Sequence, residues 1–332
     1  MTSEVDAAGD SAGEAASKEV GATARRPKSL GLIAMLIAIV SFSISSPLIK
    51  WSGETGSVIA FWRMVGAFIM WWTIMLVIKL RTQRQFPTRR TWILVLPAAL
   101  FFGANIATFF TAITKTSIAN AEFIGAMSPL VLLPAGAVFF GEHPNWKALR
   151  WGGLSIVGMT LVLFFGPANG TATLGGDLLM IVVLVCWAGY LLLSKRARLR
   201  GVGTVEFMVC LAPLGLLTAG PIAGAIAGDE IFGLGPRGWL VVVILTLLTG
   251  VLAHALLVFA QKLIPIATIG VMQSAQPALA VFWGVIILGE TVSGAQVVGM
   301  ALVVIGLGLF TWASQRAPEL PSSDAVEGLV TR

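Results

Sequence analysis

Apolar runs of about 17–25 residues, the length a helix needs to cross the hydrocarbon core of a bilayer, recur along this chain from Leu30 to Trp312. They fall near 30–49, 57–78, 92–113, 116–140, 146–166, 177–194, 203–228, 238–260, 264–288 and 294–313, and so predict about ten spans. Outside them, the first 29 residues mix Ala, Gly, Ser, Glu and Asp without an apolar run, and the stretch after Thr311 reads the same way. Both ends are expected to be solvated tails, 1–29 and 315–332, with no cleavable signal at the start.

A longer period lies over the first. Ile118–Val162 recurs without a gap as Ile266–Phe310, pairing Pro129 with Pro277, Gly136 with Gly284, Gly141-Glu142 with Gly289-Glu290, and Gly158 with Gly306. Only 9 of the 45 aligned positions are identical, but they include proline, glycine and glutamate, which shared hydrophobicity alone does not bring into register. The chain reads as a duplication, with halves at 30–166 and 175–314 of five spans each. An odd number of spans per half means the halves cross the membrane in opposite senses. The predicted fold is an all-α integral membrane protein in which two inverted five-helix repeats surround a central cavity.

Composition agrees: 57% of the 332 residues are hydrophobic and 11% are charged, too few to cover a water-soluble surface. A formal charge of +6 in a soluble chain points toward nucleic acid, but here the positive residues alternate between loops. Arg25, Arg26 and Lys28, the Lys79–Arg90 group, Lys147 and Arg150, Lys195–Arg200, Lys262 and Arg316 fall on one side. Lys50, Lys115 and Arg237 fall on the other. The positive-inside rule then places both termini in the cytoplasm of a multi-pass cell-membrane protein, with no nucleic-acid partner. Trp51, Trp92, Trp146, Trp239 and Trp312 near span ends fit an interfacial belt. Cys186 and Cys210 both lie in predicted spans and read as small apolar fillers.

The proline within each fourth span and the Gly-Glu that closes it, with Phe61-Trp62-Arg63 at the start of the second span and Trp187 and Lys195 in the sixth, resemble the drug/metabolite transporter superfamily. EamA-type members are the nearest match, over about Leu30 to Trp312. The resemblance implies a cavity lined by the first four helices of each half, with the fifth and tenth peripheral and sometimes in dimer contacts. It also implies movement of small organic solutes, often by export of amino acids or metabolites. One departure is Phe42, where the first span of the family often carries tryptophan; Trp187 holds the equivalent place in the second half.

Ionisable groups inside a bilayer are costly, so each is a functional candidate. Arg63 and Glu122 each lie about six residues into spans that start from the outer face, at a shared depth of about 9 Å. They either pair structurally or hold a charged or zwitterionic substrate, and Glu122 is also the candidate proton site. On the fourth and ninth spans, Glu122, Gly125 and Pro129, and Gly270, Gln273 and Pro277, form matching stripes flanked by Ser128 and Gln276. The prolines are expected to free backbone carbonyls and bend these helices. His254 is either bonded to a nearby carbonyl or part of a proton relay with Glu206. Asn105, Asn120 and Tyr190 are polar candidates, Trp187 and Trp283 aromatic ones. Glu142 and Glu290 are expected to face the positive amino end of the next helix, and the glycines from Gly299 to Gly308 to serve packing within the fold or a homodimer.

No glycine-rich phosphate loop ending in Gly-Lys-Ser/Thr occurs, and the two histidines, one of them His143 in a loop, stand apart from any acid cluster. Neither a cofactor, a metal site nor a catalytic residue is expected. The leading expectation is a secondary transporter, an exporter of amino acids or related metabolites, driven by exchange or protons. Uptake of a small metabolite and a non-transporting scaffold or sensor are the alternatives.

Overall fold

A computed structural model describes residues 28–82, 85–116, 118–125, 127–142, 146–165, 173–289 and 293–316. Both expected tails, and with them His143 and Glu290, fall wholly or largely outside the described residues, as does the Asn120 side chain. Among the described residues there is no strand. The helices are α1 (Lys28–Ser52), α2 (Gly56–Thr82), α3 (Arg89–Lys115), α4 (Ile118–Gly125), α5 (Ser128–Phe140) and α6 (Trp146–Phe164). They continue as α7 (Leu174–Leu199), α8 (Thr204–Ala227), α9 (Pro236–Ala260), α10 (Ile266–Gln273), α11 (Gln276–Leu288) and α12 (Gly294–Arg316). Among the described residues, seven helical stretches are long and apolar enough to cross a membrane: α1, α2, α3, α7, α8 with the turn after it, α9, and α10 with α11. Shorter apolar stretches occupy Val131–Phe140 and Val297–Phe310. The chain is an all-helical, multi-pass membrane protein.

Three helix interruptions follow from one stereochemical rule. Proline has no N–H, so it cannot bond the carbonyl four residues back. Pro47, Pro129 and Pro277 thereby release the carbonyls of Ser43, Gly125 and Gln273. Those are the last helical residues before the turn at Ile44, at the end of α4 and at the end of α10. Pro129 and Pro277 then sit in the first turn of α5 and α11, where a missing donor costs nothing. The outcome is two short helices in place of the bend expected from sequence. Pro97, Pro213 and Pro221 lie inside continuous helices.

The bounds of α4 and α5 reappear in α10 and α11 shifted by 148 residues, and α6 and α12 start in the same register. α5 and α11 also end alike, on Gly141 and Gly289 with φ of 61° and 68°, the left-handed turn that glycine adopts without strain.

α3 packs between α7 and α8, α2 lies against α8 and α9, α5 crosses α10, and the end of α1 meets α11. At the α3–α8 crossing a Cβ on Gly103 would stand 2.0 Å from the Gly215 carbonyl oxygen, so the backbones touch. α6 and α12 lie along one another, and Gly306 packs on Ser155 and Trp151. Gly306 therefore serves contact inside the fold, while Gly308 has open space beside it. Both cysteines are free thiols, and Trp146, Trp239 and Trp312 are exposed at helix ends.

Candidate functional site

A cavity of about 120 Å³ lies among α1, α2, α3, α4, α7, α9, α10 and α11. Ten residues singled out by sequence line it: Arg63, Asn105, Glu122, Gly125, Ser128, Trp187, His254, Gln273, Gln276 and Pro277. Pro129 and Tyr190 do not. Pro129 is buried and packs on Gly270, so the two stripes split: Glu122, Gly125, Gln273 and Pro277 face the cavity while Pro129 and Gly270 join α5 to α10. Tyr190 is fully buried behind Trp187, their ring centroids 5.3 Å apart. Gly125 and Gln273, whose carbonyls the prolines release, both line the space.

Arg63 is 2% exposed and Glu122 6% exposed, yet no ion pair joins them. The structural-pair alternative is therefore not what the fold adopts. Glu122 Oε1 instead accepts a 3.0 Å hydrogen bond from Ser46 Oγ on α1. Arg63 Nε donates to Thr249 Oγ1 at 2.8 Å, its guanidinium lies 5.5 Å from the Phe110 ring centre, and Nη1 has no partner. Two buried ionisable groups therefore border one space without meeting, each held by a neutral hydroxyl.

Thr249 holds a second cavity-lining group. His254 Nδ1 donates to the Thr249 carbonyl, leaving Nε2 buried without a partner. The ring stands edge-on to Phe42 at 4.7 Å and to Phe102 at 4.8 Å. Glu206, the relay partner considered from sequence, accepts from the Gly203 backbone N–H at the start of α8. The geometry around Thr249 comes from a widened, π-type turn over Thr246–Ala253 inside α9, a feature that often marks functional positions.

Two further polar contacts fix the wall. Trp187 Nε1 donates to Gln273 Oε1 at 3.2 Å, and Asn105 Nδ2 donates to the Val183 carbonyl at 2.9 Å. Trp283 is outside the lining and bonds Ser43 Oγ at 3.0 Å. Sequence reasoning passed over Ser46 and Thr249. The dense hydroxyls of Ser41–Ser46 in an otherwise apolar run were the available signal for the first. Nothing local marks the π turn that presents the second.

Glu142 has a different place from the one expected. Its carboxylate accepts from the backbone N–H groups of Ile266 and Ala267, at 2.9 and 3.3 Å to Oε2, and pairs with Lys195. It caps α10 in the other half of the chain, not the helix that follows it.

The family model described as the EamA-like transporter family matches twice, over residues 29–164 and 174–312. The threonine/homoserine exporter RhtA of Salmonella typhimurium is 26% identical over 319 residues, spanning 92% of this chain and 99% of that protein. The Escherichia coli protein of the same name is 27% identical over 212 residues, 62% of this chain and 68% of its own length. The uncharacterized transporter YwfM of Bacillus subtilis is 26% identical over 222 residues. A solved crystal structure shares the fold, with a TM-score of 0.66 at 20% identity over 88% of this chain and 98% of its own. With a cavity set among lipid-spanning helices and a family match in each half of the sequence, the chain belongs to the EamA-like transporter family.

Proposed function

We propose that the protein is a secondary active exporter of small organic metabolites, amino acids or close relatives, working by alternating access. The observation that carries this reading is the cavity itself, which brings Arg63, Glu122, His254 and Gln273 from both halves of the chain to one space. A solute held there is bound by both halves at once, so a motion of one against the other transfers it across the membrane.

In this reading ten spans form two inverted five-helix repeats of residues 30–166 and 175–314. The matched bounds of α4 with α10 and α5 with α11 support the repeat. The distribution of Lys and Arg supports cytoplasmic termini in the plasma membrane. Export of amino acids is supported by the likeness to RhtA over nearly its full length. Proton coupling is assigned to Glu122, the buried acid of the cavity.

The test is transport in sealed proteoliposomes loaded with a mixed pool of amino acids and metabolites under an imposed pH gradient, wild type against Glu122→Gln. Gradient-driven flux of one solute class, lost in the variant, is expected. Equal flux in both would remove Glu122 from the coupling step, and no flux of any solute would sink the transporter reading.

A further inference from the structure

Two opposite charges that share a cavity would neutralise each other if the fold let them meet. Here each is held elsewhere: Arg63 by Thr249 on α9, Glu122 by Ser46 on α1. Both anchors are themselves buried, at 1% and 2% exposure, so the separation is built into helix packing and does not depend on loose side chains. One guanidinium nitrogen and most of the carboxylate's hydrogen-bonding capacity are left over.

Resting on the transport cavity proposed above, we infer that the site takes a molecule carrying both an ammonium and a carboxylate, the zwitterionic head of an amino acid. The carboxylate sits on Arg63 and the ammonium on Glu122. The unpartnered guanidinium nitrogen donates to a carboxylate, and the Glu122 carboxylate accepts from an ammonium, each with charge-assisted strength. A plain amine leaves Arg63 without a partner, and a plain acid leaves Glu122 without one. Each mismatch strands a buried charge, and that penalty is the source of discrimination. The aromatic and amide groups of Trp187, Phe42, Gln273 and Gln276 then face the rest of the molecule.

The experiment measures binding, not flux. The purified full chain in detergent is screened by thermal shift against the proteinogenic L-amino acids, with the ligand-induced rise in Tm as readout. Each amino acid that stabilises is compared with its primary amide, which lacks the carboxylate charge, and its deaminated acid, which lacks the ammonium. Wild type is expected to bind both analogues roughly 100-fold more weakly. In Glu122→Gln the amino acid and the deaminated acid should bind alike; in Arg63→Gln the amino acid and the amide should bind alike. A merely structural role would lower the Tm of the unliganded variant and leave the ranking of analogues unchanged. Arg63→Lys keeps the charge if Arg63→Gln fails to fold, and should keep the wild-type ranking at reduced affinity.

Equal binding of the deaminated acid to wild type would mean that Glu122 carries a proton and not an ammonium, and would overturn the inference. So would a panel in which no amino acid shifts Tm. Binding with the expected ranking but without flux in proteoliposomes would overturn the transporter reading and leave this one standing.

Discussion

Gly103 and Gly125 make opposite demands on the same small change. A methyl group on Gly103 would meet the Gly215 carbonyl oxygen at 2.0 Å and the Thr218 hydroxyl at 2.2 Å, so α3 and α8 must separate to admit it. Gly103→Ala is expected to cost about 1–3 kcal/mol, as overpacking does, seen as a lower Tm and lower yield from the membrane. Gly125 has open space around the same position and lines the cavity. Gly125→Ala should leave Tm nearly unchanged while weakening substrate affinity, because the methyl enters room the solute uses; unchanged affinity would place the solute elsewhere. Residue identity was enough to single out most of the cavity's polar lining, since an Arg, a Glu or a His amid apolar runs has few places to go. It was not enough to find Ser46 and Thr249, because a serine or threonine bonded to its own helix and one bonded to a cavity acid look the same in sequence.

Among the elements, the α4–α5 and α10–α11 breaks were visible in sequence as prolines, and their position follows from the donor each proline lacks. Pro277→Ala restores an N–H that can reach the Gln273 carbonyl and so should knit α10 and α11 into one helix. The expected result is a Tm equal to or above that of wild type together with slower transport, measured in parallel in detergent and in proteoliposomes. A fall in Tm would show that the proline packs rather than interrupts. Glu142 was legible as a helix-end acid but not as the cap of a distant helix. Its carboxylate joins α10 and Lys195 of α7, so Glu142→Ala removes a cap and leaves a largely buried cation without its partner. A loss of about 3–5 kcal/mol is expected, read as a fall in Tm; a change within error would mean that solvent replaces the contact freely.

For the whole molecule, the charge pattern makes a prediction that does not depend on the cavity. With Arg and Lys gathered on one side, a cysteine replacing Thr88 in the exposed segment before α3 should react with a membrane-impermeant maleimide from the cytoplasm alone. One replacing Asp229 after α8 should react from the outside alone. The reverse pattern would overturn the proposed orientation. Sequence by itself determined that the chain spans a membrane, that its halves are related, and which residues are too costly in lipid to be idle. Those properties are local: hydropathy, period and the solvation of single side chains can each be read one stretch at a time. Only the tertiary structure decided that Arg63 and Glu122 border one cavity without pairing, that Thr249 on a widened turn anchors both Arg63 and His254, and that Glu142 reaches across to α10. These contacts join residues far apart in the chain, and which helices touch is settled by the packing of whole surfaces, to which no single segment of sequence has access.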